Sequence, residues 1–271
     1  MPSFERRYIF TGRLILSTAL HIGGGRGTLT PTDSPVVRGP DLRPFIPGSS
    51  LKGSFRSTVE KLASAVGLRT CALIEDADCP GASGQRQKAF NQQREEERWT
   101  EEELMTALDT ELCDTCKLFG SHYKVSKIYF DDLSLIDWAG ATQIRDGVAI
   151  DRDSEKAVDR LKYDYEVVPP DTSFRFRVTL EEPSNAELAL ACVGLTEFAS
   201  GFGGVGGLRS RGLGRCALEE PEVYELDLRD NSTRAERLKK YLLGTTLDEK
   251  MIRLPAAATF FQQRISALLE G

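Results

Sequence analysis

Four of the six cysteines fall in two close pairs, Cys71-x7-Cys79 and Cys113-x2-Cys116, separated by 33 residues. Two thiolate pairs form the donor set of a closed, tetrahedral structural Zn2+ site. In a chain kept reduced, CxxC spacing points to a metal rather than to a disulfide framework. His122 is a reserve ligand should Cys71 or Cys79 not serve. Cys192 lies in an apolar helical run and Cys216 in a strand-like segment, and both read as buried structural thiols.

A second group of residues suits anions. Pro47-Gly48-Ser49-Ser50 leads into a helical pattern, and a helix N-terminus offers free N–H groups and a positive dipole to a phosphate. Lys52 and Arg56, four apart, lie on one face of that helix. The plain alternative is a capped helix with solvated basic residues. The segment GFGGVGGLRSRGLG, residues 201–214, holds seven glycines and places Arg209, Ser210 and Arg211 between them. Glycine lets the main chain approach a phosphate, and arginine supplies bidentate contacts. The segment lacks the GK[ST] ending of a nucleotide P-loop. Asp33, flanked by Pro31 and Pro35, has by itself the look of a turn former. His21, one of two histidines, stands at a strand end and by itself reads as structural as readily as functional.

The elements that must position these groups are legible in part. Arg7 to Leu20 reads as a strand running into HIGGGRG, residues 21–27. Ser49 or Ser50 caps a helix reaching about Val66, with Leu51, Phe55, Val59, Leu62 and Val66 at helical spacing. GASGQRQKAFNQQREEERWTEEEL reads as a loop leading into a charged helix capped by Thr100. Strands are predicted at 127–137 and 173–181, a long hairpin between them, and a helix over 184–200 capped by Ser184 or Asn185. After the glycine loop, RCALEE is a short strand, and helices fall near 232–243 and 256–269. Without its insertions this order is βαββαβ, so the predicted fold is α+β with an RRM/ferredoxin-like core.

Composition sets outer bounds. Hydrophobic residues make up 40% and charged residues 28% of 271 residues, enough to bury a core. No apolar run approaches the roughly 20 residues of a membrane span, and MPSFERRYIF lacks a signal-peptide pattern, so no membrane partner and a cytoplasmic location are expected. The net charge of −6 argues weakly against nucleic acid, but residues 1–70 carry 10 Lys and Arg against 4 Asp and Glu.

Three segments together resemble the RAMP superfamily of CRISPR effector proteins, most closely the type III backbone subunits of the Cas-seven family. They are LHIGGG with TDSPVVRG, PFIPGSSLKGSFRSTVEKL, and GFGGVGGLRSRGLGR; CKLFGSHYKVSKIYFDDLSL adds to them. The resemblance spans about residues 7–218 and implies a single RAMP domain over 1–271. Its insertions would be 67–125, zinc-binding and acidic, and 139–170, a thumb-like β-hairpin, with a helical tail over 219–271.

The resemblance also implies a function. The chain would bind guide CRISPR RNA within a type III interference complex, alongside other effector subunits and copies of itself, and cleave the complementary target RNA. Guide contacts would come from Ser49, Ser50, Lys52, Arg56, Arg209, Ser210 and Arg211, with His21 nearby. Asp33 occupies the loop position on which target cleavage depends in that family, either holding a divalent cation (Mg2+ or Mn2+) or orienting the attacking 2′-hydroxyl. In the hairpin, Val148 and Ile150 would wedge into the guide–target duplex, and Arg145 and Arg152 would clamp the flanking phosphates. The rival readings are a non-catalytic RAMP subunit that only binds guide RNA and assembles the complex, and a guide-processing endoribonuclease.

Overall fold

The computed structural model describes residues 4–24, 32–71, 78–150, 152–153 and 157–270. Of the expected glycine stretch 21–27, residues 25–27 lie outside the described residues, as do Pro31 and the side chain of Ile150.

In chain order the elements are β1 (Arg6–Leu16), α1 (Gly48–Ala63), α2 (Gln85–Glu97), α3 (Glu101–Glu111), α4 (Asp114–Phe119), β2 (Ile128–Phe130), β3 (Leu135–Asp137), β4 (Gln143–Ile150), β5 (Ala157–Val167), β6 (Ser173–Glu181), α5 (Asn185–Ala199), β7 (Cys216–Asp227), α6 (Asn231–Leu243), α7 (Leu247–Lys250), β8 (Ile252–Leu254) and α8 (Ala257–Leu269). The fold is mixed α/β, built on an antiparallel sheet in the order β2-β6-β1-β7-β8, with β3 also pairing β6. A separate antiparallel pair, β4-β5, stands apart from it.

Period-two alternation explains the sheet. In β1 the even positions Tyr8, Phe10, Leu14 and Leu16 are buried, and in β6 so are Phe174, Phe176, Val178 and Leu180. The register pairs Tyr8 with Leu180 and Leu14 with Phe174, which puts both rows on one face. Leu51, Phe55 and Val59 of α1, the apolar side of α5, and Phe260 and Phe261 of α8 cover that face.

Helix α5 begins as its sequence predicts. The Ser184 hydroxyl accepts the Glu187 N–H, and the Glu187 carboxylate accepts the Ser184 N–H. Thr100 caps α3 in the same way. Helix α1 departs from expectation: it starts at Gly48 after Pro47, and neither Ser49 nor Ser50 caps it. The Asp132 carboxylate instead accepts the Gly48 N–H at 2.7 Å. Where α1 meets α5, a Cβ at Gly194 would run into the Phe55 ring. Gly194→Ala is therefore expected to lower stability by about 1–3 kcal/mol, although alanine is the better helix former. Urea unfolding monitored by far-ultraviolet circular dichroism measures it, and an unchanged midpoint would refute the packing argument.

Other boundaries differ for physical reasons. Residues 85–97, predicted as loop, form α2, held down by one buried side chain, Phe90. A helix with a single apolar anchor shows no periodicity. The predicted strand 127–137 is split into β2 and β3. The segment after 219, expected to be a helical tail, first completes β7 and later adds β8 to the sheet.

Candidate metal centre and nucleic-acid interface

Helix α4 and the chain around Cys71 and Cys79 bring four cysteines together. Their sulfur atoms all lie within 4.8 Å of one another, and all four residues are buried. Cys71 and Cys116 Sγ are 3.5 Å apart, and the Cys113 N–H donates to Cys79 Sγ at 3.3 Å. Zinc–sulfur bonds of about 2.3 Å in a tetrahedron place sulfurs about 3.8 Å apart, so the donor set fits that ion. Hydrogen bonds from Cys116, Cys71 and Cys79 push the Cys113 thiol far down, while the same network raises Cys116. His122 takes no part in the cluster and is exposed. Phe90, Leu108 and Leu112 wrap the thiols in a small core distinct from the main one. Cys192 and Cys216 are also buried, and burial pushes both thiols up.

The structure keeps Lys52 and Arg56 close, as the sequence paired them, but gives them different partners. Arg56 Nε donates to Glu60 at 2.7 Å, and its terminal nitrogens reach the Gly120 carbonyl and Cys116 Sγ. Burial disfavours its charge, but Glu60 outweighs that and holds the guanidinium protonated. Its side chain, 13% exposed, thus packs on the cysteine cluster and is not the solvated surface arginine of the plain alternative. Lys52 makes no ion pair among the described residues, and burial together with the Arg56 charge lowers its ammonium below the ordinary value. Both line a groove of about 450 Å³ with Phe119, Gly120, His122 and Lys124. Ser49 is exposed and Ser50 half-buried at the head of α1.

The glycine loop folds back on the end of the β1 segment. Gly206 and Gly214 have φ of 84° and 78°, and a side chain at either would strike a carbonyl oxygen, of His21 and Val205 respectively. These close approaches let the Gly207 N–H donate to the His21 carbonyl at 2.9 Å and the Gly214 N–H to the Ala19 carbonyl at 2.8 Å. The Ser54 hydroxyl of α1 donates to the Gly204 carbonyl, so the first helix and the loop touch across 150 residues of sequence. Arg209, Ser210 and Arg211 are all exposed on a single 3-10 turn.

His21 is buried. Its Nδ1 lies 2.7 Å from the Glu166 carbonyl, its Nε2 lies 3.3 Å from Ser34 Oγ, and its ring stands edge-on to Tyr165. With both nitrogens engaged, it braces the loop against β5.

Asp33 is exposed and sits beside β5. Its N–H donates to Asp164 Oδ1 at 2.7 Å, and its own Oδ2 accepts the Asp164 N–H at 3.3 Å. Arg211 of the glycine loop donates to the Tyr163 hydroxyl at 2.5 Å. Asp33, the base of the β4-β5 hairpin and the glycine loop therefore meet in one place.

Along the hairpin, Val148 is 49% exposed, Arg145 is half-buried and Arg152 is exposed in the turn. Ile144, 54% exposed, shares the Val148 face at a spacing of four, and sequence reading missed it although the alternation was visible. Asp164, Tyr163 and Glu166 were also missed. Polar residues in a charged hairpin carry no local signal of what they will face.

The superfamily profile for RAMP proteins matches residues 13–217. The chain belongs to the RAMP superfamily. Among individual proteins it is similar to the "CRISPR system Cms endoribonuclease Csm3" of three organisms. The Methanothermobacter thermautotrophicus protein is 43% identical over 60 residues, 21% of this chain and 24% of that one. The Enterococcus italicus protein is 46% identical over 72 residues, 26% of this chain and 32% of that one. The Methanocaldococcus jannaschii protein is 46% identical over 61 residues, 22% and 25% of the two chains. The matched stretches thus span a third or less of these relatives' own lengths. Among the described residues no helix is long and apolar enough to cross a membrane.

Proposed function

We propose that the chain is a guide-RNA-binding backbone subunit of a type III CRISPR interference complex and cleaves guide-paired target RNA in a metal-dependent way. The observation that carries this reading is the meeting of Asp33, the hairpin base and the glycine loop. The names of the similar proteins support the endoribonuclease part. The order β2-β6-β1-β7, with α1 and α5 on one face, supports an RRM-like core over which a nucleic-acid strand runs. The whole chain acts as one RAMP domain, with 67–125 as a zinc-stapled insertion and 139–170 as the thumb-like hairpin.

In this reading the base pairs of the guide select the target, and the protein holds backbone and shape. The hairpin, through Val148, Ile150 and now Ile144, displaces a nucleotide, with Arg145 and Arg152 on its flanks. That aligns a ribose 2′-hydroxyl with the adjacent phosphate. The 2′-oxygen bonds to phosphorus as the bond to the 5′-oxygen breaks, giving a 2′,3′-cyclic phosphate and a 5′-hydroxyl. Asp33 accepts the 2′-hydroxyl proton or holds a divalent cation; its carboxylate offers the hard oxygen donors Mg2+ or Mn2+ prefer. Such a cation supplies charge neutralisation at the phosphate.

Cleavage of a labelled target by the reconstituted complex tests the proposal. Cuts at regular spacing support it. Tight RNA binding without cuts favours the assembly-only subunit, and maturation of a guide precursor by the isolated chain favours a processing enzyme.

Guide binding has its own test. Arg209→Ala with Arg211→Ala is expected to weaken binding uniformly across guide sequences. It should flatten the dependence of log affinity on log salt by about 0.7 per lost phosphate contact. Lys52→Ala should flatten it by about 0.7, and adding Arg56→Ala should change it little, because Arg56 faces Glu60 and Cys116. Filter-binding titrations at several salt concentrations measure these slopes. A loss that varied with guide sequence would mean that the side chains read base edges.

A further inference from the structure

We propose that Asp164, with Glu166 two residues further on β5, is a positioning residue that clasps the Asp33 segment to the hairpin. The proposal rests on the reading of Asp33 as the cleavage residue. Residues 33–36 run beside the edge of β5 that β4 leaves free. Four hydrogen bonds join them: Asp33 N–H to Asp164 Oδ1 at 2.7 Å, Asp164 N–H to Asp33 Oδ2 at 3.3 Å, Glu166 N–H to the Ser34 carbonyl at 2.9 Å, and Val36 N–H to Glu166 Oε2 at 2.9 Å. Residues i and i+2 of a strand present side chains to the same face, so Asp164 and Glu166 grip one segment from one side.

Glu166 is itself fixed. Its carboxylate accepts from Arg38 and from the Thr142 hydroxyl at the foot of β4, and its carbonyl faces His21 Nδ1. Burial pushes its carboxyl up, but the Thr142, Val36 and Arg38 donors outweigh that, and it stays ionised. Asp33 is exposed and lies in a loop, and among the described residues it is the hairpin strand that holds its carboxylate, through the Asp164 N–H. When a duplex seats the hairpin, the clasp carries Asp33 with it, which ties target engagement to the placement of the cleaving group.

The role of Asp164 in the clasp needs a hydrogen-bond acceptor and no charge. Asp164→Asn keeps an oxygen for the Asp33 N–H and is expected to cleave within about threefold of wild type. Asp164→Ala removes it and should slow single-turnover cleavage by about 100-fold, the cost of a misplacement near 1 Å. Target affinity should be unchanged. Asp164→Val, which suits a strand and also lacks an acceptor, carries the same expectation should the alanine variant not assemble.

Amide hydrogen exchange over residues 32–38 reads the clasp without any cleavage. Protection should fall in the alanine and valine variants and persist in the asparagine variant. Equal inactivity of Asp164→Asn and Asp164→Ala would overturn the proposal, because the carboxylate charge would then be required. Wild-type cleavage or unchanged protection in Asp164→Ala would overturn it as well. Asp33→Ala runs beside them. If that variant cleaves normally, the parent reading fails, and the exchange data still decide whether the clasp exists.

Discussion

Asp33→Ala is expected to abolish target cleavage, by at least about 100-fold, while guide and target binding stay within about twofold. The carboxylate is negative and exposed, so it does not hold a phosphate, and removing it takes no attraction for RNA away. Among the described residues its side chain makes one long hydrogen bond, 3.3 Å to the Asp164 N–H. Losing that costs about 0.5–1.5 kcal/mol, too little to unfold the chain. The stronger bond of the pair is donated by the Asp33 backbone, which alanine retains. Asp33→Asn sharpens the result. It keeps the acceptor and loses the charge, so it should be as inactive as alanine if Asp33 holds a cation or takes a proton. The assay is single-turnover cleavage of a target by the assembled complex, with affinity measured on the same preparation. Loss of assembly or of RNA binding in Asp33→Ala would show that the aspartate is the turn former its prolines suggest.

The contrast between Asp33 and Asp164 shows what the sequence carries. Elements whose stability comes from a repeated pattern were legible: the alternation of β6, the helical spacing of α1, and the capping boxes at Thr100 and Ser184. Helix α2 was not, because one phenylalanine anchors it and the rest of its surface is polar. Strand β7 was read as ending before Pro221 yet runs to Asp227, since proline is tolerated where the ladder is irregular. In the site, residues with distinctive chemistry stood out, namely the cysteines, the glycine-loop arginines and Asp33. What they touch did not. Helical spacing put Arg56 on a face of α1 and said nothing of α4, which supplies the thiol opposite it. Asp164 and Glu166 became meaningful only when a segment 130 residues away was laid against them.

One zinc ion per chain is expected at Cys71, Cys79, Cys113 and Cys116, and its removal should unfold the insertion while sparing the sheet. Among the described residues the insertion's small core buries Ala82, Phe90, Leu108, Leu112 and the four thiols, with Trp99, Leu104, Ala107 and Tyr123 packed partly against them. A cluster of that size offsets only part of the entropy of ordering α2 and α3, and bound metal is expected to supply the difference. Structural zinc contributes about 10–16 kcal/mol of apparent binding energy in small domains, ample for this. The main core contains none of the four cysteines and rests on β1, β6, α1, α5 and α8. Chelation should therefore remove helical circular dichroism and open residues 78–112 to protease while residues of the β1–β6 pair keep their exchange protection. Cys116→Ser should weaken metal retention by more than the roughly 10–100-fold that loss of an outer partner costs. Cys71→Ser should do the same, because His122 is exposed and outside the cluster. Elemental analysis of purified protein gives the stoichiometry. Four freely titratable thiols in metal-free, fully folded protein would overturn the assignment, and zinc retained by Cys71→Ser would make His122 the fourth ligand. The consequence reaches the RNA side through Arg56. Its guanidinium spans Glu60 on α1 and Cys116 on α4, so loss of the metal should also loosen the groove where Lys52 lies. Guide affinity should then fall modestly after chelation, and by less in an Arg56→Ala background, where that link is already cut.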